Sequence, residues 1–128
     1  MLIDDSIVRG NTSRKIIEMV KHAGATEIHF LVASPPIKHP DFYGIDMPSK
    51  EELIASSMSI EQMQRYLGVT SLGFISLAGF YAGLGVAKRD ADSPQFADHC
   101  FTGDYPTRLV DHDQDLSRKE EQLSLLDD

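Results

Sequence analysis

The 128 residues contain one cysteine, Cys100, which excludes both an intrachain disulfide and a four-cysteine metal site. Basic residues are also scarce. Twelve Lys and Arg stand against twenty Asp and Glu, for a formal net charge of −8. That balance argues against a nucleic acid or a polyanionic membrane as partner, because counterion release needs clustered cations. A small phosphorylated ligand stays open, since backbone amides and a metal ion neutralise a phosphate locally. No apolar run approaches the ~18 residues of a membrane span, and Met1-Leu2-Ile3 passes straight into Asp4-Asp5, unlike a secretion signal. The chain is therefore expected to be soluble and cytoplasmic. A G-x-x-x-x-G-K-[ST] motif is absent, and Gly83-Leu84-Gly85 lacks the third glycine and the preceding strand of a dinucleotide site. No internal repeat is present.

What is there is enough for one domain. Hydrophobic residues make up 41% of the chain, sufficient for a core in a protein with little stability to spare. Residues 1–5 read as a short apolar strand ending in two acids, and residues 6–12 as a loop. A helix is expected over 14–23, with Ile16, Ile17, Val20 and Ala23 on one face and Asn11, Thr12 or Ser13 as its cap. Gly24 fits a helix C-terminus, and IHFLVAS (28–34) a second strand. This order implies a right-handed βαβ unit with parallel strands. A loop with four prolines in fifteen residues follows (34–48). Two capping boxes, Ser49 with Glu52 and Ser59 with Gln62, then open helices over 51–56 and 60–67, the second ended by Gly68. Residues 71–75 suit a third strand and 76–84 a short helix. Past Gly85 the pattern fades, and the charged stretch 111–128 is expected to be a disordered tail. An apolar strand at the very start of a parallel sheet needs neighbours on both sides, so either the segments that follow supply them or upstream sequence is expected to be missing.

The stretch that carries chemistry is LIDDSIVRGNTS (2–13). A strand ending in paired carboxylates, a turn and a helix N-terminus form a recurrent solution for sugar phosphates, because the first-turn amides point outward unpaired and the helix dipole favours an anion. Ser6, Thr12 and Ser13 supply hydroxyls, and Gly10 permits close backbone approach. Asp4 and Asp5 stand at the carboxyl edge of the strand, where open α/β sheets bind ligands. Adjacent strand residues point to opposite faces, so the two acids are expected to act separately, on ribose hydroxyls and on the hydration shell of a Mg²⁺ ion. The alternative, that they only end a strand and cap a turn, is the ordinary role of such acids; the complete pattern favours a Mg²⁺-dependent phosphosugar site.

LIDDSIVRGNTSRKI resembles the phosphoribosylpyrophosphate-binding motif of type I phosphoribosyltransferases, and its DDSIVRG-x-TS form is similar to that of the amidophosphoribosyltransferases, which start purine synthesis. ASPPIKHPDFYGIDMP (33–48) and HCFTGDYPT (99–107) resemble the same family in the same order. The resemblance covers about residues 1–110 and implies a partial type I phosphoribosyltransferase fold, α/β with a mainly parallel sheet and flanking helices. It further implies formation of 5-phosphoribosylamine from phosphoribosylpyrophosphate and glutamine-derived ammonia. In those terms Asp4 and Asp5 hold Mg²⁺ and the ribose hydroxyls, while Ser6, Ile7, Val8, Arg9, Gly10, Asn11 and Thr12 line the 5′-phosphate. Ammonia is a competent nucleophile, so no general base is expected. Full-length members are expected to be homo-oligomeric.

Several departures from that family pattern matter. Asn11 replaces a common Thr. Asp41 and Ala97 stand where iron–sulfur members carry cysteines, the second in a C-x-x-C ending at Cys100, so no cluster is expected. The glutaminase domain, its nucleophilic cysteine, the upstream strands and the mobile substrate loop precede the motif in the family and are absent here. The isolated chain is accordingly expected to be inactive with glutamine. A non-catalytic module sensing phosphoribosylpyrophosphate or a nucleotide is the alternative, and a stand-alone transferase for another base a more distant one. The five histidines (22, 29, 39, 99, 112) show no metal-ligand spacing and are read as ordinary side chains. His39 and Asp41 are placed near the cleft, Tyr43, Gly44 and Asp46 in shaping the proline-rich loop, Cys100 in the core, and Arg118 to Gln122 on a solvated helix face.

Overall fold

A computed structural model describes residues 1–109. The expected tail, His112 and the run Arg118 to Gln122 lie outside the described residues. Three short strands form one sheet, β1 (Leu2–Asp4), β2 (His29–Val32) and β3 (Ser71–Phe74), in the order β1-β2-β3 with both pairings parallel. Between β1 and β2 runs α1 (Asn11–His22). Between β2 and β3 come a 3₁₀ turn (Lys50–Glu52), α2 (Ile54–Ser57) and α3 (Ile60–Leu67), and α4 (Leu77–Gly83) and α5 (His99–Thr102) follow β3. The α/β class and the parallel sheet are as the sequence pattern implies.

Strand periodicity assigns the two faces of the sheet. Register sets Leu2 beside Phe30 and Phe30 beside Leu72 on the core side. Phe30 and Ile17 are fully enclosed, with Met63, Leu67 and Val69 closing the core around them. Each such side chain contributes roughly 1.5–3 kcal/mol. The next residues, Ile3, Leu31 and Gly73, form the opposite row, where Ile3 is 66% exposed and Leu31 42%. On α1 the buried stripe is Ser13 and Ile17, with Val20 partly buried. Ala23 is the C-cap and is exposed, so the helix ends one residue before the expected 14–23 span and starts three residues before it.

The helix expected over 51–56 is instead two pieces. Leu53, at ψ 111, breaks it, and the amide of Ile54 that a continuous helix would use internally donates to the carbonyl of Val8 at 3.0 Å. The second capping box forms as the sequence indicates: Ser59 Oγ accepts from the Gln62 amide at 3.2 Å, Gln62 Oε1 from the Ser59 amide at 2.7 Å, and Gly68 ends α3 at φ 68.

Past Gly85 the sequence has no periodicity, yet residues up to 109 are held by polar contacts. Asp98, 2% exposed, accepts from Arg89 Nε at 2.5 Å, Arg89 Nη2 at 3.1 Å and Tyr81 Oη at 2.7 Å. Arg89 also reaches Asp104 at 2.7 Å. A second apolar cluster, Ile37, Leu53 and Cys100, receives Val8 from the loop after β1.

Candidate functional site

The loop after β1 is built from the backbone outward. Asp4 Oδ1 accepts the Asp5 amide at 3.0 Å, and Asp5 Oδ1 accepts the Ser6 hydroxyl at 3.1 Å. The chain then turns inward at Ile7, 2% exposed and part of the main core, and Val8 enters the second cluster. Gly10 reaches φ 77 and immediately precedes α1.

No side chain caps α1. The sequence pattern offered Asn11, Thr12 or Ser13 for that task; Asn11 is instead the first helical residue, and the cap position belongs to Gly10, which has no side chain to offer. The first intrahelical bond runs from the Arg14 amide to the Gly10 carbonyl at 2.9 Å. Helix geometry therefore leaves the amides of Asn11, Thr12 and Ser13 without intrahelical acceptors. Aligned peptide dipoles add a partial positive charge at the same end. An open cleft of about 410 Å³ lies over these groups, lined by Asp4, Asp5, Ser6 and every residue from Val8 to Ser13.

The sequence-derived candidate site thus stays together in space, with three internal distinctions. Ile7 belongs to the core by its side chain and is not among the cleft's lining residues. Gly10 is demanded by its positive φ and by packing, since a Cβ there would lie 3.0 Å from Ile54 Cδ1 and 3.5 Å from Tyr66 Cε1. Arg9 turns to Glu52, with Nε 3.0 Å from Oε1, a contact across 43 residues that no local pattern announces.

His39 and Asp41 do not line this cleft. Asp41 is buried at the heart of the proline-rich loop, where its Oδ2 accepts the amides of Tyr43 and Ile45, each at 2.8 Å. Its Oδ1 contacts His99 Nε2 at 2.5 Å. Burial alone would raise the Asp41 pKa; the Ile45 amide, His99 and the Tyr43 amide outweigh it and hold the carboxyl below its ordinary range. His99, 3% exposed, packs in a three-ring cluster with Tyr43 and Tyr105, its centroid 5.1 and 5.3 Å from theirs. Tyr105 in turn donates to the Pro40 carbonyl at 2.9 Å. These contacts clamp loop 35–46 onto α5.

Asp41, His99 and Cys100 bring potential metal-ligating atoms within 4.8 Å of one another. Sequence spacing missed this grouping because Asp41 and His99 stand 58 residues apart. Burial first, then the charge of Asp41, pushes the Cys100 thiol pKa up, which opposes nucleophile chemistry at that sulfur.

A parallel sheet with an acidic strand end, an uncapped helix N-terminus and an open cleft over both is an arrangement suited to an anionic ligand on an α/β domain. Among solved structures, the chain superposes on the glutamine phosphoribosylpyrophosphate amidotransferase of Bacillus subtilis complexed with ADP and GMP. The TM-score is 0.75 at 50% identity, over 84% of this chain and 23% of that one. A second, described as the allosteric regulatory enzyme of purine biosynthesis, gives 0.71 at 48% identity over the same shares. The fold is that of the phosphoribosyltransferases. Among curated sequences, the amidophosphoribosyltransferase of Rhizobium etli is 54% identical over 112 residues and that of Bacillus subtilis 50% over 109, matching 87% and 85% of the chain. No family model matches. The chain is similar to these amidophosphoribosyltransferases and spans 23% of their length.

Proposed function

We propose that this chain supplies the phosphoribosylpyrophosphate site of an amidophosphoribosyltransferase, in which ammonia displaces pyrophosphate from the anomeric carbon to give 5-phosphoribosylamine, the first step of purine synthesis. The observation that carries this reading is the uncapped start of α1 beneath an open cleft edged by Asp4 and Asp5. In it, the amides of Asn11, Thr12 and Ser13, with the hydroxyls of Ser6, Thr12 and Ser13, receive the 5′-phosphate. Val8, Arg9 and Gly10 shape the loop, and Ile7 anchors it to the core.

Asp4 and Asp5 would hold a Mg²⁺ ion and the ribose hydroxyls. Their donor set suits that ion: hard carboxylate oxygens at an open cleft, with room for retained water. Bound there with the substrate, Mg²⁺ would offset the charge that develops on the leaving pyrophosphate. The chain's own residues do the positioning. They fix the ribose 5-phosphate by backbone donors that need no rearrangement during the displacement. Proton abstraction is not required of them, because ammonia already carries its lone pair.

The ammonia would come from a glutaminase domain, and glutamine-dependent turnover by this chain alone is not expected. Its one cysteine is buried in the second apolar cluster, with its pKa raised, so it is no substitute for a glutaminase nucleophile.

Calorimetric titration with phosphoribosylpyrophosphate and Mg²⁺ tests the reading. Uptake is expected for the chain, with loss of at least tenfold in affinity for the double variant Asp4→Asn, Asp5→Asn. Equal affinity in the two proteins would sink the assignment. Uptake of phosphoribosylpyrophosphate without any phosphoribosylamine formation from added ammonia would favour a sensing module instead.

A further inference from the structure

We propose that Glu52 is a positioning residue that sets the metal dependence of the cleft. By holding Arg9, it keeps a cation engaged that would otherwise face the anion, so the sugar phosphate enters as its divalent-metal complex. The inference rests on the sugar-phosphate reading given above.

Arg9 is the one cationic residue among those lining the cleft, against the two acids Asp4 and Asp5. Its Nε lies 3.0 Å from Glu52 Oε1, and both side chains are about half exposed, at 52% and 50%. The other Glu52 oxygen accepts the Ser49 amide at 3.2 Å, which fixes the carboxylate from behind. Arg9, then the Ser49 amide, holds the Glu52 carboxyl below its ordinary range. The pairing is enforced by the main chain, because the Ile54 amide bonds the Val8 carbonyl and so brings residue 52 alongside residue 9. The next arginine is engaged in the same way: Arg14 pairs with Glu18 at 3.2 Å and lies over the Tyr66 ring.

The consequence is electrostatic. With Arg9 neutralised by Glu52, the cleft keeps the two negative charges of Asp4 and Asp5, and a free phosphoester or diphosphate meets like charge. A divalent cation carried with the ligand removes that repulsion. Releasing Arg9 would supply part of the same compensation without a metal.

Glu52→Gln tests this while sparing the fold, because glutamine accepts from the Ser49 amide as glutamate does. The measurement is calorimetric affinity for phosphoribosylpyrophosphate in Mg²⁺ and in EDTA, on the whole chain. An exposed pair of this kind is worth little, so metal-free affinity is expected to rise by about threefold in the variant, with the Mg²⁺ arm nearly unchanged. In an Arg9→Gln background the same substitution is expected to change neither arm. Equal weakening of both arms would assign Glu52 a purely structural role and overturn the proposal, as would an unchanged ratio between them. Absence of uptake by the wild-type chain in either buffer is a separate result, one that removes the sugar-phosphate reading itself and this inference with it.

Discussion

The amide of Ile54 donates to the carbonyl of Val8 at 3.0 Å, and this bond joins the candidate phosphate loop to a segment more than forty residues away. A helix that would run on through Leu53 is broken to make it. Ile54 also packs its side chain under Gly10, so the loop rests on one residue through both main chain and side chain.

Gly10→Ala is therefore expected to cost about 1–2 kcal/mol, from a positive φ that alanine resists. Adding Ile54→Val removes the 3.0 Å approach but leaves the backbone strain. Chemical denaturation of the single and double variants should thus show little recovery. Full recovery would mean that contact, rather than conformation, makes glycine necessary here.

The Asp98 carboxylate ties α4 to α5, taking bonds from Arg89 and from Tyr81. Asp98→Asn leaves the Arg89 guanidinium, itself 17% exposed, without its buried counter-charge. A loss of about 2–4 kcal/mol is expected. Tyr81→Phe removes one neutral donor and should cost about 1 kcal/mol. Urea melts that rank the two in the opposite order would contradict this assignment of the anchor.

Acid should destabilise the fold through the same carboxylate. Burial alone would raise the Asp98 pKa, but Arg89 and Tyr81 more than offset it and hold the group below its ordinary 3.8. A carboxylate depressed by folding contributes stability that is fully present above the unfolded value. That contribution is lost as pH falls through the folded one. Asp41 is depressed in the same direction. Melting temperature is expected to hold from neutrality down to about pH 5 as far as these groups are concerned, and to fall below about pH 4. The fall should be shallower in Asp98→Asn; an identical slope in variant and wild type would assign acid sensitivity to other groups.

Much of the site was legible because it is local. An apolar strand, two acids, a short loop and a helix start occupy consecutive residues, and strand alternation with helix-terminus geometry then fixes where their polar groups point. The capping box at Ser59 and the glycine stop at Gly68 were readable for the same reason. Legibility ended where contacts became long-range. Leu53 breaks its helix for the sake of Val8, Arg9 turns to Glu52, and Asp41 finds His99, each across a separation that no periodicity encodes. The fold past Gly85 was invisible because what holds it, polar bonds centred on Asp98, ring contacts and the burial of Cys100 against Ile37 and Leu53, follows no sequence period.

By itself, then, the sequence determined the class of the domain, its parallel strands and the succession of strand end, loop and helix start over residues 4–13, since all three follow from residue order within one βαβ turn of chain. Only the tertiary structure decided that Gly10 and not a polar side chain stands at the helix start, leaving the first-turn amides uncapped. It also decided that Arg9 is held by Glu52, and that the row of Ile3 and Leu31 faces outward while Leu2 and Phe30 face the core. The physical reason is common to these cases: each depends on which distant surface arrives alongside, and that is set by packing and register rather than by the preferences of the residues themselves.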